Sequence, residues 1–251
     1  MHCGRIIVNM NELINNNISF DNNFEYAYNL CLANCSHIEL INMLKNGNIA
    51  EKQIAALKMD YINNIDDVNA LLNNLTGCDG KIREAVAFKI NYFLLNDKNV
   101  RSLFAESSAD VFAKASIDIN ANICRLIVDS AFMLKSYKVF SLDYVNQIVN
   151  YIYEALIELD KFVFKDKKYV INKQLFKLYW CLEALNFFPE YVSDEDLKKI
   201  MTECSKQSEY TVREKVASLI QKTNIAPEVR KLLSNDDNYY VQQMLHHPCF
   251  F

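Results

Sequence analysis

The sequence has 251 residues, of which 51% are hydrophobic, and this fraction excludes a chain that is disordered throughout. Its four glycines and three prolines are too few for the many tight turns of a β protein, so long helices with short polar connections are favoured. The formal net charge is −4, whereas nucleic-acid binders usually carry a basic excess, because phosphate contacts supply most of their affinity.

The cysteines and the N-terminal residues indicate the compartment in which the protein is located. Eight cysteines are scattered along the chain, several of them at apolar positions of helical patterns. Residues 1–15 are polar and lack the apolar segment of a signal peptide, and no apolar run approaches the length of about 18 residues that a membrane span needs. These features predict reduced thiols, a cytoplasmic location and no association with membranes.

The predicted elements begin with a loosely ordered lead-in at residues 1–24, which is rich in asparagine and has one helical turn near Met10–Ile14. Residues 25–251 are predicted to form a single domain. Apolar residues at spacings of three and four predict helices at about 25–45 and 49–63. The same spacing then predicts helical pairs at about 66–75 with 80–95, 99–115 with 120–135, 143–163 with 169–187, 193–205 with 209–222, and 226–234 with 238–246.

One short pattern recurs in the second helix of each of these pairs. Ile82-Arg83-Glu84-Ala85-Val86 is similar to Val212-Arg213-Glu214-Lys215-Val216, and weaker copies begin at Ile123, Ile171 and Val241. Successive copies are separated by 41, 48, 41 and 29 positions. The first three separations bracket the period of about 40 to 47 residues that is typical of HEAT and armadillo repeats. The chain therefore resembles the HEAT-repeat family over about residues 25–247.

This resemblance implies an all-α fold, an α-solenoid of about five to six antiparallel helical hairpins. In that family the second helices line the concave side, which often binds a partner. Arg83 and Arg213 occupy a position that the family links to bonds between repeats. The unit from 123 to 171 departs from the pattern through its long first helix and its Lys165-Asp166-Lys167-Lys168 connection.

Two groups of cysteine and histidine are candidate metal sites. Cys31, Cys35 and His37 are close in sequence and lack a clear fourth ligand unless His2 and Cys3 fold over them, and His246, His247 and Cys249 lie near the C-terminus. Neither group supplies a clear set of four ligands. Buried thiols and a frayed terminus are the favoured interpretations, and we expect no metal and no cofactor.

Catalytic patterns are also missing from the sequence. It has no nucleophile elbow, Gly-rich phosphate loop or zinc-protease helix, so no catalytic residue is predicted. Iron-dependent hydroxylases of HEAT-like architecture have His-Glu pairs, and this sequence has no His-Glu dipeptide. Cys78 has no histidine near it in sequence to activate it. Trp180, the one tryptophan, follows Tyr179 in an apolar helical stripe and is predicted to pack in the core.

The predicted binding surface consists of polar positions off the apolar stripes of the second helices: Arg83, Glu84, Asn122, Arg125, Asn172, Lys173, Arg213, Glu214, Gln242 and Gln243. The hypothesis is a non-enzymatic scaffold or adaptor that binds a protein or peptide partner there, with a few aromatic residues such as Tyr239 and Tyr240. Solvation of the face, or pairing between repeats, is the alternative role of these polar side chains.

The alternative function is a DNA-binding protein or an alkylated-base DNA glycosylase-like enzyme on the same scaffold. It requires lysines and arginines to gather on one face although the chain as a whole is acidic. The acidic total favours a protein partner over nucleic acid. The sequence leaves the oligomeric state open.

Overall fold

The computed structural model describes residues 22–161 and 168–246 of the chain. Several predictions lie outside the described residues: the turn near Met10–Ile14, the residues His2, Cys3, His247 and Cys249, and the connection Lys165-Asp166-Lys167.

The described residues form α-helices and two short 3-10 turns, and contain no strand. The turns are Lys98–Val100 and Pro189–Tyr191. The helices are α1 (Asn22–Leu32), α2 (His37–Asn46), α3 (Ile49–Lys58), α4 (Ile65–Leu75), α5 (Gly80–Asn96), α6 (Arg101–Ser107), α7 (Ala109–Ala115), α8 (Ala121–Met133), α9 (Lys138–Lys161), α10 (Lys168–Phe187), α11 (Asp194–Cys204), α12 (Tyr210–Thr223), α13 (Pro227–Leu233) and α14 (Tyr239–His246).

The helices stack in two layers. The first helices of the hairpins are α2, α4, the broken pair α6–α7, α9, α11 and α13, and the second helices are α3, α5, α8, α10, α12 and α14. Each second helix packs against the second helix of the next hairpin, and α1 packs on α3 at the N-terminal end of this layer. This translational order makes the described chain an all-α solenoid of the HEAT or armadillo kind.

The hydrophobic core runs along the stack between the two layers. Ile90, Ile127, Ile148 and Val216 come from successive hairpins and are fully buried in one continuous cluster. A single hairpin cannot bury its apolar face alone, so each one is stabilised by its neighbours. Trp180 is 8% exposed and belongs to this cluster, which confirms that it packs in the core.

The helix predicted at 25–45 is two helices, which corrects the sequence-based interpretation. Ser36 begins α2 with a capping box, in which its hydroxyl accepts from the Glu39 amide and its own amide donates to the Glu39 carboxylate at 2.7 Å. Such a box starts a new helix even where the apolar spacing continues. Asn48 and Glu51 form the same box at the start of α3, which ends at Lys58 rather than near residue 63.

Two further boundaries differ from the predicted ones. The helix expected at 99–115 is a 3-10 turn followed by α6 and α7, which break at Ser108. The helix expected from residue 143 begins at Lys138 and, at 24 residues, is longer than the other described helices. None of the described helices combines the length and the apolar character that crossing a membrane would require.

Candidate functional site: the second-helix face

The solvent-facing sides of α3, α5, α8, α10, α12 and α14 form a surface that we call the second-helix face. Aromatic side chains are concentrated on these helices. Those of Phe88, Tyr92, Phe132, Tyr169, Tyr210, Tyr239 and Tyr240 are exposed. On α10, Phe176, Tyr179 and Phe187 are half-buried. Large exposed aromatic residues are characteristic of surfaces that bind another molecule.

The first helices differ in this respect. Among the described residues, no phenylalanine, tyrosine or tryptophan of a first helix is exposed. Phe104, Phe112, Phe140 and Tyr144, which belong to α6, α7 and α9, are fully buried. Sequence reasoning named Tyr239 and Tyr240 but missed the rest of this aromatic surface, because its other candidates were polar residues off the apolar stripes. The signal was available, since Phe88 and Tyr92 are spaced four apart and fall outside the stripe of Ile82, Val86 and Ile90.

Arg83 links two hairpins through its guanidinium. Its Nε donates to one carboxylate oxygen of Asp118 at 2.6 Å, and Nη2 donates to the other at 3.1 Å. Nη1 donates to the backbone carbonyl oxygens of Gly77 and Cys78, both at 3.0 Å. The side chains of Arg83 and Asp118 are each 10% exposed, so the pair is well shielded from water.

Arg213 repeats this arrangement near the C-terminal end of the stack. Its Nε and Nη2 donate to Asp236 at 2.6 and 2.9 Å, and Nη1 donates to the carbonyl oxygens of Gln207 and Ser208 at 2.8 and 2.9 Å. The hydrogen bonds from Arg213 hold the pKa of Asp236 below its ordinary value. We call the two arrangements the arginine clamps; both arginines bond between repeats, as the family resemblance implies. Their acceptors, five residues before the next copy of the repeat, were not recognised in the sequence.

Two more residues of the predicted surface, Asn122 and Glu84, are hydrogen-bonded to each other. The Asn122 amide nitrogen donates to the Glu84 carboxylate at 3.2 Å, from α8 to α5. Gln242 donates to the backbone carbonyl oxygen of Asp236 at 2.6 Å. The side chain of Arg125 is exposed, and that of Gln243 is half-buried.

Glu214 stands in a partly desolvated cluster of charges on α10 and α12. Burial raises the pKa of Glu214, and the neighbouring Lys215 opposes this shift. Lys215 pairs with Glu183 at 2.7 Å, and its ammonium lies 5.0 Å from the centroid of the Tyr179 ring. The cation therefore already has partners within the chain.

A groove of about 510 Å³ opens on the second-helix face between α8, α10 and α12. Asn172, in the second turn of α10, is exposed and lines it together with Phe176 and Tyr179. Trp180 also lines it, and its buried indole N–H has no hydrogen-bond partner among the described residues. Lys173 faces a different pocket, of about 420 Å³, next to the Arg83 clamp. The predicted Asn172 and Lys173 thus lie at separate sites.

Several cations of the second helices are held by the chain itself. Arg83 and Arg213 are clamped by aspartates, and Lys177 pairs with Glu154 at 3.0 Å. Lys222 donates to the Asn186 carbonyl oxygen at 2.8 Å. A nucleic-acid surface needs cations that are available to phosphates, and the chain as a whole has a formal net charge of −4, so the DNA-binding and glycosylase-like alternative is not favoured.

The residues Cys31, Cys35 and His37 do not share one helix, since α1 ends at Leu32. His37 Nε2 lies 2.9 Å from an Asp67 oxygen, and its ring stacks on Tyr61 with centroids 4.4 Å apart. Cys31 is exposed, contrary to the interpretation of a buried thiol. Across residues 22–161 and 168–246, no group of three or more His, Cys, Asp or Glu side chains is arranged to hold a metal ion.

Three of the other cysteines are buried, as expected. Cys124, Cys181 and Cys204 lie in the core, and Cys78 is exposed. Burial raises the pKa of the Cys124 and Cys204 thiols to about 12. These two thiols are protonated at neutral pH and are poor nucleophiles.

Comparison with known proteins gave matches among solved structures only. No protein-family model matches the sequence, and no curated protein matches it. A designed armadillo repeat protein is 13% identical with a TM-score of 0.44, over 84% of this chain and 97% of that one. Two engineered proteins solved as structural-genomics targets are 11% and 15% identical. Their TM-scores are 0.45 and 0.44, over 84% and 85% of this chain and 94% and 96% of theirs. At these identities the likeness says nothing about a ligand, and the solenoid is evident from the chain's own order of helices.

Proposed function

We propose that this chain is a non-enzymatic interaction module, a scaffold or adaptor, whose second-helix face binds a segment of a partner protein. The observation that carries the proposal is the concentration of exposed aromatic side chains on the second helices and α1, with none on the first helices in the described part of the chain. Aromatic residues supply much of the energy of protein interfaces, because they bury a large area at a low cost in conformational entropy.

The geometry of the face supports an extended segment as the ligand. Phe88 and Tyr92 on α5, Phe132 on α8 and Phe187 on α10 lie on successive second helices, and the Phe132 and Phe187 rings are 5.0 Å apart. Polar residues such as Asn122 and Asn172 stand nearer the N-terminal ends of the same helices and supply hydrogen-bonding groups. An elongated ligand that crosses the helices would contact both kinds of residue.

A peptide selection tests the proposal and does not require the natural partner to be identified first. Peptides selected from a displayed random library would be measured against the wild type and against a variant with Phe88→Ser, Tyr92→Ser and Phe132→Ser. The matched control replaces exposed apolar residues of the first helices α2, α9 and α13, with Ile38→Ser, Ile157→Ser and Leu232→Ser. All six residues are exposed, so both variants should remain folded.

The aromatic variant should lose at least about ten-fold in affinity for the selected peptides, and the control should change by less than about two-fold. Peptides that bind both variants equally, or a library that yields no binder to the wild type, would count against the proposal. A gel-shift titration with duplex DNA at low salt addresses the alternative function; we expect no complex at micromolar protein, where non-specific binders are already retarded.

A further inference from the structure

Two adjacent serines at the break between α6 and α7 have buried hydroxyl groups without a hydrogen-bond partner among the described residues. α6 ends at Ser107, and Ser108 stands between the two helices. Ser108 is 1% exposed. Because nearly all buried polar groups in proteins form hydrogen bonds, the two unpaired hydroxyls require an explanation.

The other buried serines are satisfied within the fold. Ser116, Ser130 and Ser141 donate to backbone carbonyl oxygens at 2.8, 2.6 and 2.9 Å. Ser205 donates to the Thr202 carbonyl oxygen at 2.9 Å. An unpaired buried serine hydroxyl is therefore confined, in the described chain, to the break at residues 107–108.

The two serines line a cleft of about 840 Å³ between the α6–α7 break and the first turns of α9. This cleft belongs to the layer of first helices and is separate from the second-helix face. Glu106, Asp110 and Asp143 line it, with Lys138 as the one cation of the lining. None of the three carboxylates forms an ion pair in the described part of the chain.

The cleft thus offers a net negative charge, and beside it stand two serine hydroxyls that the fold leaves without a partner among the described residues. Its wall also has apolar groups, among them the side chain of Val139, which is 74% exposed. Lysine and arginine side chains combine these requirements, because each has an apolar stem and a cationic head with several N–H donors.

We propose that this cleft binds the cationic head of a lysine or arginine in a basic peptide segment of a partner protein. The carboxylates of Glu106, Asp110 and Asp143 balance its charge. The Ser107 and Ser108 side chains line the cleft, and their hydroxyls turn out of their buried positions to accept N–H bonds, while Val139 packs against the stem. This site is additional to the second-helix face, and its existence does not depend on the function proposed for that face.

Fluorescence anisotropy with a labelled peptide that alternates arginine with alanine tests the proposal. The variant Asp110→Asn/Asp143→Asn removes two carboxylates of the cleft. The control Glu25→Gln/Asp160→Asn removes two carboxylates outside it, so that the change in net charge is equal. We expect about ten-fold weaker binding for the cleft variant and less than about a two-fold change for the control. Equal weakening in both variants would show that the peptide is held only by general charge attraction, and this result would contradict a specific site in the cleft.

Ser108→Ala gives a second readout that a merely structural serine would not produce. Removing an unpaired buried hydroxyl should leave the melting temperature unchanged or raise it, while binding of the peptide weakens. A lower melting temperature with unchanged affinity would show that the hydroxyl is used inside the fold and would contradict the proposal. Displacement of the peptide by an equal concentration of spermidine would also contradict the proposal, because it would indicate a site for small amines. Loss of binding in Phe88→Ser would contradict it too, since that substitution changes only the second-helix layer.

Discussion

The second-helix layer is closed where α5 meets α8 and is open at one end where α8 meets α10. Between α5 and α8, Asn122 bonds Glu84 near the N-terminal ends, and Asn91 donates to the Leu126 carbonyl oxygen further along, at 3.2 Å. Between α8 and α10, Phe132 and Phe187 touch near the C-terminal ends, and a groove of about 510 Å³ lies near the N-terminal ends.

The contact between α5 and α8 and the contact between α8 and α10 also differ in the residue that occupies the second position of the repeated pattern. In α5 that position is Arg83, which clamps the connection before α8 through Asp118. In α8 it is Cys124, whose thiol donates, among the described residues, to the Asp118 carbonyl oxygen of its own hairpin at 3.0 Å. In α10 it is Asn172, which is exposed in the groove. We infer that the arginine clamp closes the layer between α5 and α8, and that the groove lies where α8 has Cys124 in place of the arginine.

Removing the clamp should have the largest effect on stability. Arg83→Ala leaves the Asp118 carboxylate shielded from water without its cation, and we expect a loss of about 3–5 kcal/mol in the free energy of unfolding. The matched control is Arg125→Ala on α8, at an exposed position, with an expected loss below about 0.5 kcal/mol. Urea unfolding measures both, and equal losses would refute the distinction between the two contacts.

The clamp at Arg213 should make the stability of the folded chain depend on pH in the acid range. Its hydrogen bonds depress the pKa of Asp236 in the folded chain below the ordinary value of 3.8. A carboxylate with a depressed folded pKa adds stability above its unfolded pKa, and this contribution is lost as the pH falls through the folded pKa. Unfolding should therefore become easier below about pH 4 in the wild type. In Asp236→Asn this part of the pH dependence should be missing, and an unaltered pH profile would contradict the assignment.

The contact between α8 and α10 should be weaker, because it depends on the pair of Phe132 and Phe187. A double-mutant cycle with Phe132→Ala and Phe187→Ala measures the coupling between the rings, which we expect to be about 0.5–1.5 kcal/mol. Additive losses, with no coupling, would mean that the rings do not stabilise this end of the groove.

Thiol alkylation is the least perturbing test, since it asks only which cysteines are accessible in the folded chain. Cys31 and Cys78 should react with N-ethylmaleimide first, and Cys124 and Cys204 should react only on unfolding, because burial raises the pKa of both thiols to about 12. In Arg83→Ala, Cys124 should become more reactive while Cys204 stays protected. Mass spectrometry of the labelled peptides gives each rate, and equal rates for Cys31 and Cys124 in the wild type would contradict the burial.

The sequence predicted the solenoid because its signals are local. Apolar residues three and four apart mark helices wherever they occur, and the repeated Arg83 and Arg213 segments mark the period of the stack. The breaks at Ser36 and Ser108 were missed because the apolar spacing continues across them. At Ser36 the capping box with Glu39 was a readable signal; at the second break Ser107 and Asp110 have a similar spacing, but α7 begins without a side-chain cap.

The site was less predictable because it depends on contacts between distant residues. The clamp joins Arg83 to Asp118, 35 positions away, and no local spacing indicates such an acceptor. Of the predicted surface residues, Arg83 and Arg213 serve contacts between repeats, whereas Asn172 lines the groove. The exposed phenylalanines were overlooked since positions outside an apolar stripe were assumed to be polar.

Cross-linking of a selected peptide shows directly whether it binds on the second-helix face. A benzophenone-bearing copy of a peptide from the displayed library would be irradiated with the wild-type chain, and the attachment sites would be mapped by mass spectrometry. The account predicts attachment to α5, α8 and α10 around Phe88, Phe132 and Phe187. Attachment confined to the first helices α4, α9 and α11 would contradict it.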